Sequence, residues 1–317
     1  MCPFCFYFCM QIMLKTDMED KKSLVGAWVE AARPRTLPAS VSPVLLGCAL
    51  AYYDGAFDVV PAVLCLLVAL FAQIASNFAN DYFDFKKGAD REDRLGPERA
   101  VAEGWITPKA MLTGTFVTLG LACAAGLLLV CFADWRLIGV GIAIAICVLA
   151  YSAGPFPLAY NGLGDVCVLL FYGIIPVCFT YYIQTLNFSL LSFLLSVALG
   201  LLSVNILVVN NYRDYVQDKA ARKRTTIVLF GRRAGRVFYV LNECMAFLLV
   251  LPLILDAPWW ILFLFGILFA LCFYTTRELF TLEGRALNRT LGHTARNVFL
   301  FASVLSLLFL YIGGVSN

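Results

Sequence analysis

Two stretches of the chain carry carboxylate and amide side chains at the spacing of a helix face. The first contributes four residues at positions i, i+3, i+4 and i+7: Asn77, Asn80, Asp81 and Asp84. The second repeats that geometry with Asn211, Asp214 and Asp218. If each helix persists, the side chains share one face. Carboxylates about 6 Å apart repel each other by roughly 3 kcal/mol per pair at an effective dielectric of about 20. A divalent cation would cancel that repulsion.

The side chains around these carboxylates indicate which cation and which ligand they would bind. Oxygen ligands with no His or Cys nearby favour Mg²⁺ over zinc. Mg²⁺ typically bridges one or two carboxylates to substrate phosphates. Basic residues near both stretches can donate charge-assisted hydrogen bonds to phosphate oxygens: Arg33, Arg35, Arg99, Arg213 and Lys223. The two stretches therefore predict facing Mg²⁺ sites around a diphosphate.

A different interpretation of both stretches is open, because a run of mixed charge usually marks a solvated loop. Each basic residue, taken singly, is also explained by the positive charge of cytoplasmic loops. The stretches nevertheless both read Asn-x-Tyr-x-Asp, at Asn80–Asp84 and at Asn210–Asp214. An internal repeat rarely arises by accident. It favours a functional pair of sites and predicts two related four-helix halves plus one additional helix.

The composition shows which elements must position these residues. Of 317 residues, 61% are hydrophobic and 14% are charged, whereas soluble domains have about 45–50% and about 25%. A spanning helix needs about 20 mostly apolar residues. Nine stretches qualify: residues 37–53, 59–79, 110–132, 136–152, 165–186, 188–209, 237–255, 258–275 and 296–314. Short breaks between them predict an all-α membrane protein, a nine-transmembrane-helix bundle.

The distribution of charge predicts how the bundle is oriented. All of the 24 Lys and Arg residues except Arg136 lie in the segments on one side or at the adjoining helix ends. The positive-inside rule makes that side cytoplasmic, which predicts a cell inner-membrane protein whose active site faces the cytoplasm. A net charge of +3 does not indicate a nucleic-acid partner. A single His leaves a His-based metal site without partners.

The first 22 residues differ from the rest of the chain. Residues 1–22 contain a short apolar segment with a Cys-x-x-Cys at Cys2 and Cys5, which lacks the second ligand pair of a metal site. The segment is too short to span a bilayer. We expect residues 1–22 to be a disordered or interfacial tail and residues 23–317 to form a single transmembrane domain.

Eight fragments of the chain, taken in order, carry a resemblance to a known family: residues 32–38, 77–84, 87–90, 94–99, 151–158, 162–165, 180–184 and 210–225. From about Ala32 onward, the chain resembles the UbiA superfamily of intramembrane prenyltransferases. The third acid of each family motif is replaced, by Gly88 in the first and by Arg222 in the second. Both departures are similar to the branch that prenylates 1,4-dihydroxy-2-naphthoate rather than the 4-hydroxybenzoate branch.

The resemblance implies a central cavity, open toward the cytoplasm, in which two Asp-rich motifs bind Mg²⁺ and an isoprenyl diphosphate. The catalytic residues expected from it and from the spacing are Asn80, Asp84, Asp214 and Asp218. The expected metal ligands are Asp81, Asp84, Asp90, Asp214 and Asp218. The expected substrate-binding residues are Arg35, Asn77, Asn80, Arg99, Tyr151, Asn210, Asn211, Arg213 and Lys223.

The implied reaction transfers a polyprenyl chain from an allylic polyprenyl diphosphate to 1,4-dihydroxy-2-naphthoate, with decarboxylation, in menaquinone biosynthesis. Mg²⁺ and the basic residues would neutralise the leaving diphosphate, and the bundle would shield the allylic cation from water. Alternatives are a related enzyme with a 4-hydroxybenzoate, homogentisate or haem acceptor, or a multi-pass transporter. Transporters tend to place polar groups near the midplane, whereas these acids lie at the cytoplasmic ends.

Overall fold

A computed structural model describes residues 23–88 and 94–316, which contain helices and no strand. The α-helices are α1 (Leu24–Ala32), α2 (Leu37–Tyr53), α3 (Val59–Lys86), α4 (Pro108–Leu129), α5 (Leu137–Ala150), α6 (Gly164–Leu169), α7 (Ile175–Thr185), α8 (Leu190–Arg213), α9 (Tyr215–Ala220), α10 (Thr226–Leu255), α11 (Trp259–Thr281) and α12 (Leu287–Ser316). A π-helical turn, Leu170–Ile174, joins α6 to α7. Short 3₁₀ turns lie at Pro34–Thr36, Leu158–Tyr160 and Gly284–Ala286.

Within the described residues, nine helical segments match the nine predicted spans. Eight of them are long and apolar enough to cross a membrane, with α6, the π-helical turn and α7 counted as one segment. The ninth, α5, has 14 residues and is about 21 Å long, which is shorter than the hydrocarbon core of about 30 Å. The prediction of an all-α transmembrane bundle is confirmed, and the chain is a multi-pass membrane protein.

Several helices extend farther than the apolar windows predicted. Helix α3 continues to Lys86, α10 begins at Thr226, α11 continues to Thr281 and α12 begins at Leu287. Hydropathy detects only the part of a helix that lies in hydrocarbon. The backbone hydrogen bonds continue regardless of side-chain polarity. The first polar motif therefore lies on a helical extension. The second does not lie on one helix, because α8 ends at Arg213 and Asp214 lies between α8 and α9. The continuous helix face expected for Asn211, Asp214 and Asp218 is thus interrupted.

Side-chain caps hold several helix starts in place. Asp58 Oδ1 accepts a hydrogen bond from the Val60 amide at 2.8 Å, at the start of α3. Thr225 Oγ1 accepts from the Val228 amide at 3.3 Å, at the start of α10. Such caps satisfy amide groups that have no partner within the helix. They fix where the chain enters α3 and α10, the two helices that flank the polar stretches.

The fifth and sixth spans approach each other closely at a pair of glycines. A Cβ atom added to Gly173 would lie 2.5 Å from Gly200 Cα and 2.6 Å from the Ser196 carbonyl oxygen. Small residues allow this backbone approach between membrane helices. The contact fixes the π-helical turn against α8, and so fixes the relative position of the two spans on either side of the polar stretches.

Two sequence predictions fall outside the described residues. They are the tail at residues 1–22, which includes Cys2 and Cys5, and the metal ligand Asp90; both stay predictions. The cysteines of the described part form no disulfide. A free cysteine in an apolar helix acts as a small apolar side chain.

Candidate active site

The first polar stretch lies on one continuous helix, α3, as its spacing predicts. Asn77, Asn80 and Asp84 belong to the wall of a cavity of about 760 Å³. Asp81 is not part of the described wall of that cavity. Asp84 is only 2% exposed, although a carboxylate is rarely fully buried unless it is paired. Its partners therefore define the centre of the site.

Three side chains from different parts of the chain meet the Asp84 carboxylate. The Tyr160 hydroxyl donates to Oδ1 at 2.8 Å. Arg99 Nη2 donates to Oδ2 at 3.2 Å. Lys223 Nζ lies 3.6 Å from Oδ2. Two cations and a phenol thus compensate the buried charge of Asp84.

Lys223 also connects the two polar stretches. Its Nζ lies 3.9 Å from Asp218 Oδ1, which belongs to the second stretch. A tight turn places it there: Arg222 adopts a left-handed conformation with φ 57°, and the Lys223 amide donates to the Asp218 carbonyl at 2.8 Å. The ammonium group thus stands between carboxylates of both stretches, where a metal cation would also be stabilised.

The side chain of Arg213 is almost entirely enclosed, at 1% exposed. It forms a two-bond ion pair with Asp214, through Nε at 2.7 Å and Nη2 at 2.6 Å. Its Nη1 donates to Asn288 at 2.6 Å and its Nη2 to Asn210 at 2.8 Å. A Cβ atom on Gly96 would lie 2.7 Å from Nη2, so a larger residue there would require the Arg213 guanidinium group to move. Arg213 lines the cavity, but its bonds orient Asp214 and Asn210.

The Asp81 carboxylate accepts backbone hydrogen bonds instead of facing the cavity. The amides of Ala100 and Val101 donate to its two oxygens at 3.1 Å and 3.3 Å. These bonds anchor the segment that follows Arg99. Both oxygens of Asp81 are thus occupied by backbone donors next to Arg99, and the metal ligation expected from the sequence stays a prediction.

The amides of the first stretch connect it to neighbouring segments. The Asn80 Oδ1 atom accepts from Arg33 at 3.2 Å and also from Arg99. Its Nδ2 donates to the Ser152 hydroxyl at 3.2 Å. The Asn77 amide donates to the Ala32 carbonyl at 2.9 Å. Asn80 therefore orients two guanidinium groups at the edge of the cavity.

The remaining predicted residues have less specific placements. Arg35 is exposed at the rim of the cavity, and Tyr151, Asn210 and Asn211 are part of its wall. The Tyr151 hydroxyl lies 3.6 Å from the place a Cβ on Gly164 would take. All described site residues except Asp81 line the cavity, and they come from five different segments of the chain.

Titratable groups of the site are perturbed by burial. Burial raises the pKa of Asp218 to about 7, with Lys223 opposing the rise and the Asp214 carboxylate adding to it. Burial also lowers the pKa of Lys87, while the nearby Asp84 carboxylate opposes that change. A carboxyl group that titrates near neutral pH is typical of functional sites.

Sequence reasoning missed Tyr160, Lys87 and Asn288. Both Lys87 and Lys223 place their ammonium groups over the Tyr160 ring, 4.3 Å and 4.6 Å from its centroid. The Lys87 Nζ atom donates to the Ser152 carbonyl at 2.6 Å. No local pattern marks a tyrosine as a carboxylate partner. Tyr160 follows the predicted Tyr151 within the same short loop, and only the fold selects between them.

The cavity has a polar end and a long apolar part. Beyond the carboxylates its wall is formed by aliphatic and small side chains of α2 to α5, among them Val44, Leu119, Gly126, Leu129 and Ile138. This shape suits a ligand that has one highly charged end and a long apolar chain.

A second polar patch on the cavity wall surrounds Asp165. The Thr226 hydroxyl donates to Asp165 Oδ2, while Oδ1 is buried and has no hydrogen-bond partner among the described residues. The Tyr172 hydroxyl donates to Gln73 Oε1, and both residues also line the cavity. A buried carboxylate oxygen without a partner is costly, so this patch is suited to accept a hydrogen bond from a ligand.

The oxygen donors of the site fit a Mg²⁺ ion shared with a substrate better than a metal ion held by protein ligands alone. Within the described chain, no three His, Cys, Asp or Glu side chains are close enough to hold a metal by themselves. Mg²⁺ usually takes only one or two carboxylates and completes its shell with water and substrate phosphates. The fit therefore requires a phosphate-bearing ligand beside Asp84, Asp214 and Asp218.

Comparison with known proteins gives consistent relationships. The model of the UbiA prenyltransferase family matches residues 40–301. The 1,4-dihydroxy-2-naphthoate octaprenyltransferase of Haemophilus influenzae is 37% identical over 233 residues, which cover 70% of this chain and 76% of that protein. The Mycobacterium tuberculosis protein of the same name is 38% identical over 235 residues, covering 73% and 79%. A UbiA homolog from Archaeoglobus fulgidus, bound to GPP and Mg²⁺, superposes with a TM-score of 0.66 at 18% identity, covering 91% and 98%.

Proposed function

The chain belongs to the UbiA prenyltransferase family, and we propose that it transfers the polyprenyl chain of an allylic diphosphate to 1,4-dihydroxy-2-naphthoate. The observation that carries this proposal is the placement of Lys223 between carboxylates of both motifs, at the polar end of an apolar cavity. Relatives named 1,4-dihydroxy-2-naphthoate octaprenyltransferase support this choice of acceptor.

The diphosphate is proposed to bind at the polar end of the cavity. Asp84, Asp214 and Asp218 would hold Mg²⁺, which, when bound, supplies positive charge that stabilises the leaving diphosphate. Lys223 and Arg99 add donors for phosphate oxygens. Asn80 and Arg213 orient these groups through the hydrogen bonds described above. The Mg²⁺ in the Archaeoglobus fulgidus homolog supports this assignment.

The reaction breaks the bond between the allylic carbon and the diphosphate oxygen and forms a carbon–carbon bond to the aromatic ring. Diphosphate and the ring carboxylate, as CO₂, are the groups that leave. The apolar wall excludes water that would otherwise capture the allylic cation. Tyr172 and Phe171 line this region and can stabilise a nearby cation through their ring faces.

The acceptor is proposed to bind against the patch at Asp165. The Asp165 Oδ1 atom can accept a hydrogen bond from an acceptor hydroxyl, since it has no partner among the described residues. Withdrawing that proton makes the ring more electron-rich and a better nucleophile. The Thr226 hydroxyl holds the other carboxylate oxygen and so fixes its orientation.

The active site is proposed to face the cytoplasm from the inner membrane. The polar end of the cavity lies at the helix ends where the Lys and Arg residues are concentrated, in accordance with the positive-inside rule. In that orientation, water-soluble dihydroxynaphthoate enters from the cytoplasm while the prenyl chain lies within the membrane.

A reconstitution assay tests the proposed function. The purified chain in lipid nanodiscs is given a polyprenyl diphosphate, Mg²⁺ and dihydroxynaphthoate labelled in its carboxyl group. We expect a prenylated naphthoquinol, stoichiometric labelled CO₂ and loss of turnover with EDTA. Parallel reactions with 4-hydroxybenzoate and homogentisate should give little product. Preferential use of either would replace the naphthoate assignment, and absence of any prenyl transfer would contradict the proposal.

The acceptor patch gives a separate prediction. Replacing Asp165 with Asn keeps the shape but removes the charge that accepts the hydroxyl proton. We expect at least about a tenfold lower kcat/KM for dihydroxynaphthoate, with an unchanged KM for the polyprenyl diphosphate. Steady-state kinetics with each substrate varied in turn measures both values. The Thr226→Val variant should show a smaller effect in the same direction. A change confined to the diphosphate KM would contradict the acceptor assignment.

A further inference from the structure

Two arginines at the cytoplasmic part of α10 form a site outside the cavity. Arg232 and Arg236 lie four residues apart on one helix face. Their guanidinium carbons lie 5.3 Å and 5.5 Å from the centroid of the same ring, that of Tyr212. Tyr215 and Phe280 provide further ring contacts at 5.4 Å and 5.1 Å. Stacking of this kind fixes the two guanidinium groups in place.

The charge of this pair is not compensated within the described chain. Neither arginine forms an ion pair with a described residue, and the Nε atoms of both lack a hydrogen-bond partner there. Arg236 donates to the Phe280 carbonyl at 3.3 Å. The Glu278 carboxylate is already occupied by Arg289 and His293. Like charges four residues apart on a helix repel each other, so the pair favours an anion.

The position of the pair in the membrane indicates where that anion comes from. Helix α10 is kinked at Gly231, which has φ 85° and ψ 164°. Its straight part, residues 232–255, is about 36 Å long, so its first turn lies beyond a hydrocarbon core of about 30 Å. Phe230 is 65% exposed and Val237 is 55% exposed. The arginines are thus flanked by apolar side chains at the level of the lipid headgroups. The described wall of the substrate cavity includes neither arginine.

We propose that Arg232 and Arg236 bind the phosphate of an anionic phospholipid of the cytoplasmic leaflet. The headgroup phosphate accepts hydrogen bonds from the two guanidinium groups, and the acyl chains lie along the exposed apolar face of α10. Tyr212, between the arginines and the cavity, follows Asn211 in the second motif. The bound lipid would therefore stabilise the C-terminal end of α8 from the side opposite the second motif.

Native mass spectrometry of the full-length chain, titrated with phosphatidylglycerol, tests this site. The Arg232→Gln/Arg236→Gln variant should bind this lipid roughly tenfold more weakly, because the charge-assisted hydrogen bonds from the two stacked guanidinium groups to the headgroup phosphate are lost. The matched control is Arg233→Gln, since Arg233 is exposed on the same helix and stacks on no ring among the described residues. It should bind like the wild type. Phosphatidylcholine should bind weakly and equally to all variants.

Three outcomes would overturn the lipid assignment. One is equal phosphatidylglycerol affinity of the wild type and the double variant. Another is an equal loss of affinity in Arg233→Gln, which would indicate only general surface charge. The third is complete displacement of the lipid by inorganic phosphate, which would indicate a site for a free anion. If the double variant fails to fold, Arg232→Gln alone carries the same comparison, since Arg232 donates no hydrogen bond to a described residue.

Discussion

At the scale of single residues, the site separates carboxylates that face the cavity from one that does not. Asp84 and Asp81 are three residues apart on α3, and both are 2% exposed. Asp84 is surrounded by side-chain donors from three segments, whereas Asp81 accepts from two backbone amides. Burial alone would give the two residues the same role. Because their partners differ, we propose that the first belongs to the substrate site and that the second supports the segment after Arg99.

This difference predicts different effects of two similar substitutions. Asp84→Asn should lower kcat on the order of a hundredfold, because a carboxylate proposed to hold Mg²⁺ is lost, and should also lower the thermal unfolding midpoint, because Arg99 and Lys223 lose their buried counter-charge. Asp81→Asn should lower the free energy of unfolding by about 1–3 kcal/mol, because one backbone amide then faces an amide donor. Turnover and thermal unfolding of both variants measure this. Equal loss of turnover without destabilisation would instead make Asp81 a direct participant.

The raised pKa of Asp218 predicts how the metal requirement depends on pH. Burial raises this pKa to about 7, so the carboxyl is protonated and neutral below that pH and ionised above it. Since a metal ligand must be deprotonated, the Mg²⁺ concentration for half-maximal turnover should rise about tenfold per unit as pH falls below 7. Mg²⁺ titrations at several pH values measure it. The Asp218→Asn variant should lose this pH dependence. If its half-maximal Mg²⁺ concentration still rises equally steeply as the pH falls, a group other than Asp218 controls the dependence.

At the scale of elements, helix extensions and one close helix contact position the site. Helix α3 carries its motif on turns that follow the apolar span, and α8 ends at Arg213, directly before Asp214. The π-helical turn Leu170–Ile174 packs against α8 through Gly173 and Gly200. The distance between the Asp165 patch and the second motif depends on this contact, because Asp165 begins the helix that contains the turn.

A single added methyl group should disturb this contact. In Gly173→Ala, the new Cβ would lie 2.5 Å from Gly200 Cα, and overpacking of this kind costs about 1–3 kcal/mol. We expect a thermal unfolding midpoint lower by several degrees and weaker acceptor binding. Gly266→Ala is the control, because the helical Gly266 on α11 has open space around its Cβ position. It should leave both properties unchanged. Equal midpoints for the two variants would show that the helices adjust without cost.

At the scale of the whole molecule, the two polar stretches come from opposite halves of the sequence and converge at one end of a single cavity. Lys223 connects them, since its ammonium lies within 4 Å of one carboxylate of each stretch. Apart from the patch at Asp165, the rest of the cavity wall is largely apolar and is formed by membrane helices. In the proposed function, this arrangement keeps a diphosphate at the water boundary while its chain occupies the bilayer.

Removing the connecting charge should therefore weaken substrate binding more than folding. Lys223→Met retains the length of the side chain and loses the ammonium. We expect kcat/KM for the polyprenyl diphosphate to fall on the order of a hundredfold, because a cation proposed to donate to the phosphate oxygens is lost. Lys219→Met, at an exposed position of α9, should behave like the wild type. Equal kcat/KM values for Lys223→Met and Lys219→Met would contradict the role of Lys223 in connecting the two polar stretches.

The sequence by itself determined the properties that depend on local pattern. Hydropathy located all nine spans, and residue spacing predicted one shared helix face for Asn77, Asn80, Asp81 and Asp84, of which Asp81 is not part of the described cavity wall. The orientation expected from the arginines and lysines stays a prediction. These follow from side-chain chemistry and helical periodicity, which act over a few residues. The selection of Asp84 and Asp214 as candidate site residues also depended on the Asn-x-Tyr-x-Asp repeat. The repeat relates two stretches that are too far apart in the sequence for a local pattern to connect.

Only the tertiary structure decided which side chains meet. The partnership of Asp84 with Tyr160 and Lys223, the backbone contacts of Asp81 and the stacking of Arg232 and Arg236 on Tyr212 all link residues far apart in the chain. Periodicity gives the face of one helix but not the neighbour that packs against it. That neighbour follows from how whole helices pack, through contacts such as Gly173 against Gly200, so the roles of these residues appear only once the bundle has formed.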